Sequence, residues 1–224
     1  MFSSRASGVV LLALIALAAG CQPEARTVLP DLPMGSILDS RPTASTGVRS
    51  YTGSGAGPVE SAWLPQTLER PWRWIVIHHS ATENGCADSF DKMHRGKGWD
   101  ELGYHFVICN GNGGPDGQVQ VGSRWLKQKW GAHAGGTPDN AYNNYGIGIC
   151  LVGEFTSRPP TEAQLSSLRR LVSFLAERYN VDPACVIGHR DAPGTKTECP
   201  GNAMEKHLVE VLRLAATRYR LARN

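Results

Sequence analysis

The sequence predicts an α/β fold: a single domain with a central mixed β-sheet flanked by about three α-helices. Three observations carry this expectation. Compact β-branched runs such as Trp74–His78 (WIVIH) and Gly146–Val152 (GIGICLV) are too short for helices and read as buried strands. Other stretches place apolar residues at three- and four-residue steps, the signature of amphipathic helices. Strands alternating with helices build an α/β layer structure, and a segment of roughly 150 residues suits one core.

Residues 1–20 read as a signal peptide. Arg5 supplies positive charge, and Val9 to Ala19 is an apolar run shorter than the about 20 residues a bilayer span needs. The ending Leu17-Ala18-Ala19-Gly20-Cys21 resembles the lipobox of bacterial lipoproteins, where cleavage precedes the cysteine and its thiol is lipidated. Gln22 resembles an outer-membrane sorting residue. These likenesses imply a cell-envelope protein, anchored to the periplasmic face of a membrane, the outer one, by acyl chains on Cys21. Residues 21–69 are rich in Pro, Ser, Thr and Gly without a sustained period, so they read as the lipidated cysteine and a flexible tether.

The domain is expected over 70–224. Its first strand is Trp74–His78. Asp88–Gly98 follows as a helix, with Phe90, Met93 and Lys97 at helical spacing. Tyr104–Cys109 is a second strand, and after the Gly/Asn turn at Asn110–Gly114, Gln118–Val121 pairs back as a hairpin. Gly146–Val152 is a third buried strand whose glycines suggest close backbone approach. Past Pro159-Pro160, Thr161 and Gln164 have the spacing of a capping box. Leu165, Leu168, Leu171, Val172 and Leu175 then mark a helix to Tyr179. Val186–Gly188 is a short strand ending at His189, and a last helix runs from Asn202 to Ala222.

A net charge of +3 with 19% charged residues demands no polyanion-binding surface, and nucleic acid is not expected as a partner. Export implies an oxidising compartment. Cys86, Cys109, Cys150 and Cys185 would then admit three connectivities, which the sequence leaves open. Cys109 and Cys150 each sit in an apolar run and read equally well as buried thiols.

The chemistry gathers around Gly188–Gly201, GHRDAPGTKTECPG, which holds His189 and Cys199 in an irregular loop. Imidazole and thiolate suit a borderline-soft ion such as Zn²⁺. Three histidines compete to be a third ligand: His78 and His79 at the end of the first strand, and His133 in a Gly-Ala-His-Ala-Gly-Gly loop. Adjacent residues on a strand face opposite sides, so only one of His78 and His79 can join the ion. The chain has no C-x₂-C pair for a structural knuckle and no His-Glu-x-x-His helix of a zinc peptidase.

These residues also carry a family resemblance. From about Trp72 to Met204 the chain resembles the zinc-dependent N-acetylmuramoyl-L-alanine amidases of the peptidoglycan recognition protein and phage T7 lysozyme type. The matching motifs are Ile77-His78-His79-Ser80-Ala81-Thr82, Gly98-Trp99, Leu102-Gly103-Tyr104-His105-Phe106, Gly131-Ala132-His133-Ala134, Gly146–Gly153, Gly188-His189-Arg190-Asp191 and Thr197-Glu198-Cys199-Pro200-Gly201. The resemblance implies zinc on His78, His189 and Cys199, with Tyr104 and Thr197 as catalytic residues; Lys196, one place before Thr197, is not given the role. The substrate is expected in a groove formed by the loops around the metal, where His133 and Asn144 either contact peptide or sugar or stabilise their loops, and Arg190 and Asp191 either orient a ligand or form a loop salt bridge. Peptidoglycan or a muropeptide is the implied substrate, and the chain is expected to act as a monomer. Related cytosolic anhydro-muropeptide amidases place a carboxylate where this chain has Cys150, which implies a mechanism without that base. Family members that only bind wall fragments typically lose a zinc ligand, and Cys199 is present here.

Overall fold

A computed structural model describes residues 60–221. In chain order these hold β1 (Trp74–His79), α1 (Ala87–Gly96), β2 (Phe106–Ile108), β3 (Val119–Val121), α2 (Ser123–Leu126), α3 (Ala141–Asn144), β4 (Gly146–Leu151), α4 (Glu162–Tyr179), β5 (Val186–Gly188) and α5 (Asn202–Leu221). The strands form one sheet of order β3-β2-β4-β1-β5. Neighbours are parallel except β2 and β3, which form the expected antiparallel hairpin. The mixed-sheet α/β class is therefore as the sequence predicts, with α1, α4 and α5 as the long helices and α2 and α3 as single turns that no periodicity announced. The signal-peptide and lipobox residues, Cys21 among them, lie outside the described residues. Among the described residues no helix is long and apolar enough to cross a membrane.

The two faces of the sheet differ. Period-two alternation turns Ile75 and Ile77, Phe106 and Ile108, and Ile147, Ile149 and Leu151 into one apolar cluster with Leu165, Leu168, Leu171, Val172 and Leu175 of α4 and Met204, Leu208 and Val211 of α5. α4 starts where the sequence says it should. Thr161 Oγ1 accepts from Gln164 N at 3.0 Å, and Gln164 Oε1 accepts from Thr161 N at 3.2 Å. The Gln164 amide also donates to the Ile108 and Val152 carbonyls at 3.1 and 2.9 Å, pinning the helix start to the ends of β2 and β4. Towards α1 the apolar cluster is small: Phe90, Leu102, Val107, Cys150 and Val152.

Three expectations need correction. The folded part begins before Arg70, because the 3-10 turn Ser61–Trp63 buries Trp63 in the main core, where its carbonyl accepts from Trp125 Nε1 at 3.0 Å. One aromatic residue in a polar stretch leaves no periodic signal. In α1 the inward residues are Phe90 and His94, one helical turn apart, while Met93 is 41% exposed. Cys86, Cys109 and Cys150 are free thiols, so none of the three connectivities forms. Cys109 and Cys150 are buried as small apolar groups, and Cys86 sits at the N-terminal cap of α1.

Candidate metal centre

The sheet order supplies the convergence that the sequence could state only as a condition. β1 and β5 are neighbours in register, with Ile77 opposite Gly188, so His78 and His189 leave adjacent strands at the same level. Past Gly188 the chain turns through a 3-10 turn at His189–Asp191 and returns to Cys199. This return is tied down at each step. Arg190 N donates to the Cys199 carbonyl at 2.8 Å, Cys199 N to Thr197 Oγ1 at 3.1 Å, and Thr195 Oγ1 to the Ala192 carbonyl at 2.8 Å. Gly201 lets the loop seat itself: its φ is +98°, and a Cβ there would fall 2.4 Å from the Phe155 carbonyl carbon.

The donor atoms of His78, His189 and Cys199 all lie within 4.8 Å of one another. Cys199 Sγ is 3.7 Å from His78 Nδ1. Tetrahedral zinc with bonds of about 2.3 Å to sulfur and 2.0–2.1 Å to nitrogen requires an S···N edge of about 3.6 Å, so the pair fits the ion. Burial holds the His78 ring well below its usual range, and the His189 ring is lowered by burial too, which favours the neutral, lone-pair-bearing form. The same burial pushes the Cys199 thiol up to about 12, and His79 N donates to its sulfur at 3.4 Å. A buried thiol of that kind becomes a stable thiolate when a cation balances it. His79, the strand's other histidine, faces away. Its Nδ1 accepts from Phe155 N at 3.4 Å, and its ring packs 6.1 Å from that of Phe155.

Tyr104 lies beside the donors, its ring centroid 5.2 Å from that of His78. Burial raises its phenol well above the ordinary value, with the sulfurs of Cys150 and Cys199 adding to the effect. Cys150, in register with His78 on β4, is also driven well above the ordinary thiol range by burial, so it holds its proton and offers no base. The wall that carries Tyr104 rests on a charge cluster built around the buried Arg124 and Glu101. Arg124 pairs with Asp100 and donates to the Leu102 and Trp130 carbonyls at 2.6 Å each, while Lys127 and Lys129 hold Glu101 at 2.9 and 3.1 Å. Outside it, Trp99 stacks on His94 with centroids 4.4 Å apart.

The remaining sequence-selected residues fall in different places. Thr197 is two residues from the thiol, and its oxygen accepts from Cys199 N, which leaves its own proton for another acceptor. Arg190 is the loop staple: it reaches Asn202 Oδ1 at 2.7 Å, Glu205 at 3.3 Å and the Glu198 carbonyl. Asp191 Oδ2 accepts from Gly188 N at 3.0 Å and braces the strand end, not a ligand ring. His133 is buried behind His78 with both ring nitrogens engaged: Nδ1 is 3.0 Å from His78 Nε2 and Nε2 is 3.2 Å from the Gly146 carbonyl. Asn144 precedes β4, whose far end carries the residue opposite His78, and its amide donates to the Asp139 carbonyl at 3.2 Å. The structure does not bring Asn144 to the donors. Its neighbour Asn143, which sequence reasoning passed over, accepts from His133 N and Ala134 N at 2.7 and 2.8 Å. Two adjacent asparagines give no sequence signal of which one points inward.

A family profile described as N-acetylmuramoyl-L-alanine amidase matches residues 68–202, a span that includes all three donors. The N-acetylmuramoyl-L-alanine amidase of Sus scrofa is 32% identical over 164 residues, 67% of this chain and 25% of that protein. Peptidoglycan-recognition protein LB of Drosophila melanogaster is 31% identical over 157 residues, 64% of this chain and 62% of that protein. Among solved structures, the N-acetylmuramoyl-L-alanine amidase LysC from Clostridium intestinale superposes with a TM-score of 0.52 at 29% identity, covering 70% of this chain and 91% of that one. The chain spans about a quarter of the length of the mammalian N-acetylmuramoyl-L-alanine amidases it matches.

Proposed function

The chain belongs to the N-acetylmuramoyl-L-alanine amidase family, and we propose that it hydrolyses the amide bond between N-acetylmuramic acid and L-alanine in peptidoglycan or its muropeptide fragments, using zinc held by His78, His189 and Cys199. The observation that carries the proposal is the clustering of two imidazoles and one thiol within 4.8 Å at the ends of neighbouring strands. Three protein ligands leave a fourth position for chemistry, the pattern of catalytic and not structural zinc. When bound, zinc supplies Lewis acidity and brings the pKa of water towards about 7.

The chain's own residues have separate tasks. Tyr104, kept protonated by burial, is a hydrogen-bond donor at neutral pH for the oxyanion that develops on the lactyl carbonyl. Thr197, whose oxygen accepts from Cys199 N, keeps its hydroxyl proton for another acceptor and is a second donor. Cys150 keeps its proton, which suits a mechanism without a carboxylate base on β4. Arg190 and the threonine turns hold His189 and Cys199 at fixed separation. In the same proposal Cys21 carries the lipid anchor, and the chain between Cys21 and the folded domain tethers it to the cell-envelope membrane.

The test is digestion of purified murein by the zinc-loaded protein, with and without chelator, followed by mass spectrometry of the soluble products. Stem peptides with a free L-alanine amino terminus, absent with chelator, are expected. Binding of murein without release would make the chain a wall-binding protein, and peptides beginning at a later residue would make it a peptidase.

A further inference from the structure

His133 is not one of the three donors, yet the structure builds a place for it in unusual detail. A Cβ on Gly148 or on Gly131 would fall 2.4 Å from His133 Cδ2, so both positions are kept clear for this ring. Asn143 Oδ1 fixes the backbone by accepting from His133 N and Ala134 N, and Asn143 is itself anchored by donating to Asn140 Oδ1 at 2.8 Å. The ring has two polar partners, the Gly146 carbonyl and His78.

Those partners determine where the protons sit. A carbonyl oxygen can only accept, so His133 carries its proton on Nε2 and donates it to Gly146. Its Nδ1 is then a lone pair, and the 3.0 Å contact with His78 requires a proton on His78 Nε2. His78 Nδ1 is left as the unprotonated nitrogen, and it is this atom that lies 3.7 Å from Cys199 Sγ. We infer that His133 is a positioning residue: it locks His78 in the Nε2–H tautomer, so that Nδ1 presents its lone pair to the ion before the ion arrives. A backbone carbonyl, through two imidazoles, thereby sets the orientation of one metal ligand. The inference rests on the reading of His78 as a ligand. It gives His133 a task different from contacting substrate.

Two variants separate this task from packing. His133→Phe keeps a ring in the space between Gly131 and Gly148 but cannot accept a hydrogen bond. His133→Asn offers an amide oxygen near the place of Nδ1. In the metal-free wild type, ¹⁵N NMR of the imidazoles should show His78 as the single Nε2–H tautomer, and in His133→Phe a mixture. Zinc affinity, measured by competition with a chromophoric chelator, should fall about 10- to 100-fold in His133→Phe and recover in part in His133→Asn. A folded His133→Phe protein with unchanged His78 shifts and zinc affinity within about twofold of wild type would overturn the inference. Were that variant not to fold, an Nδ1–H tautomer of His78 in the metal-free wild type would overturn it equally. Failure of the wild type to bind zinc at all would be a different result, one that removes the ligand assignment itself.

Discussion

The two faces of the sheet are stabilised by different physics. Towards α4 and α5 the buried side chains are almost all aliphatic or aromatic, and stability there follows apolar area removed from water. Towards α1 the apolar cluster has five members, and the space around it holds His78, His94, His105, His133, Glu101 and Arg124, all buried. Buried polar groups are costly unless each finds a partner, and these find theirs in carbonyls, lysines and one another. One face provides a rigid frame. The other spends hydrophobic burial to aim lone pairs at a point.

The sharpest way to break that comparison is to change one residue on each face and measure both activity and stability. Tyr104→Phe should lower kcat for stem-peptide release by on the order of 10²-fold, the usual cost of losing an oxyanion donor, with thermal stability nearly unchanged. Leu168→Ala, at a fully buried position of α4, should do the reverse. It should cost about 2–5 kcal/mol in chemical denaturation, with kcat and zinc content per folded molecule as in wild type. A loss of kcat in Leu168→Ala as large as that in Tyr104→Phe would mean the faces are not independent.

Acid should find the polar face first. Burial holds His105 down to about 4, from an ordinary value of 6.5, while its Nδ1 accepts from Gly148 N at 2.9 Å. Its neutral ring therefore stabilises the fold above pH 6.5, and this contribution is lost as pH falls through 6.5 towards 4. Glu101 would be raised by burial, but hydrogen bonds from Ser123, Lys127 and Lys129 outweigh this and bring it from 4.5 to about 2. Its contribution is present above pH 4.5 and is lost as pH falls from 4.5 towards 2. In acid-unfolding curves, Glu101→Gln should flatten the lower limb and leave the limb between 6.5 and 4 in place. The smallest effect expected is at the helix start, where Thr161→Ala should cost about 1 kcal/mol in denaturant unfolding. Activity should not change.

How much of this the sequence disclosed also divides by face. The frame was legible because periodicity encodes it: the leucines of α4, its Thr161–Gln164 capping box and the β-branched strands all lie where the pattern puts them. Trp63 was hidden because a lone aromatic has no period. On the polar face, strand alternation reduced the histidine pair to one ligand but could not pick His78 over His79. That choice depends on which side of β1 meets the returning loop. His133 was visible as a residue, but its partners His78 and the Gly146 carbonyl were not, nor was the tie from Asn143 to its backbone. Hydrogen-bond partners far apart in sequence carry no local signature. The glycines of β4 were the nearest thing to one, since the close approach they suggested is that of the His133 ring to Gly148.

The most direct test of the central claim is the zinc coordination itself, read by X-ray absorption at the zinc edge of the loaded protein. Two imidazole nitrogens, one sulfur at about 2.3 Å and one further light ligand are predicted, with stoichiometric zinc lost in Cys199→Ala. A shell with two sulfurs, or full zinc occupancy in Cys199→Ala, would contradict it.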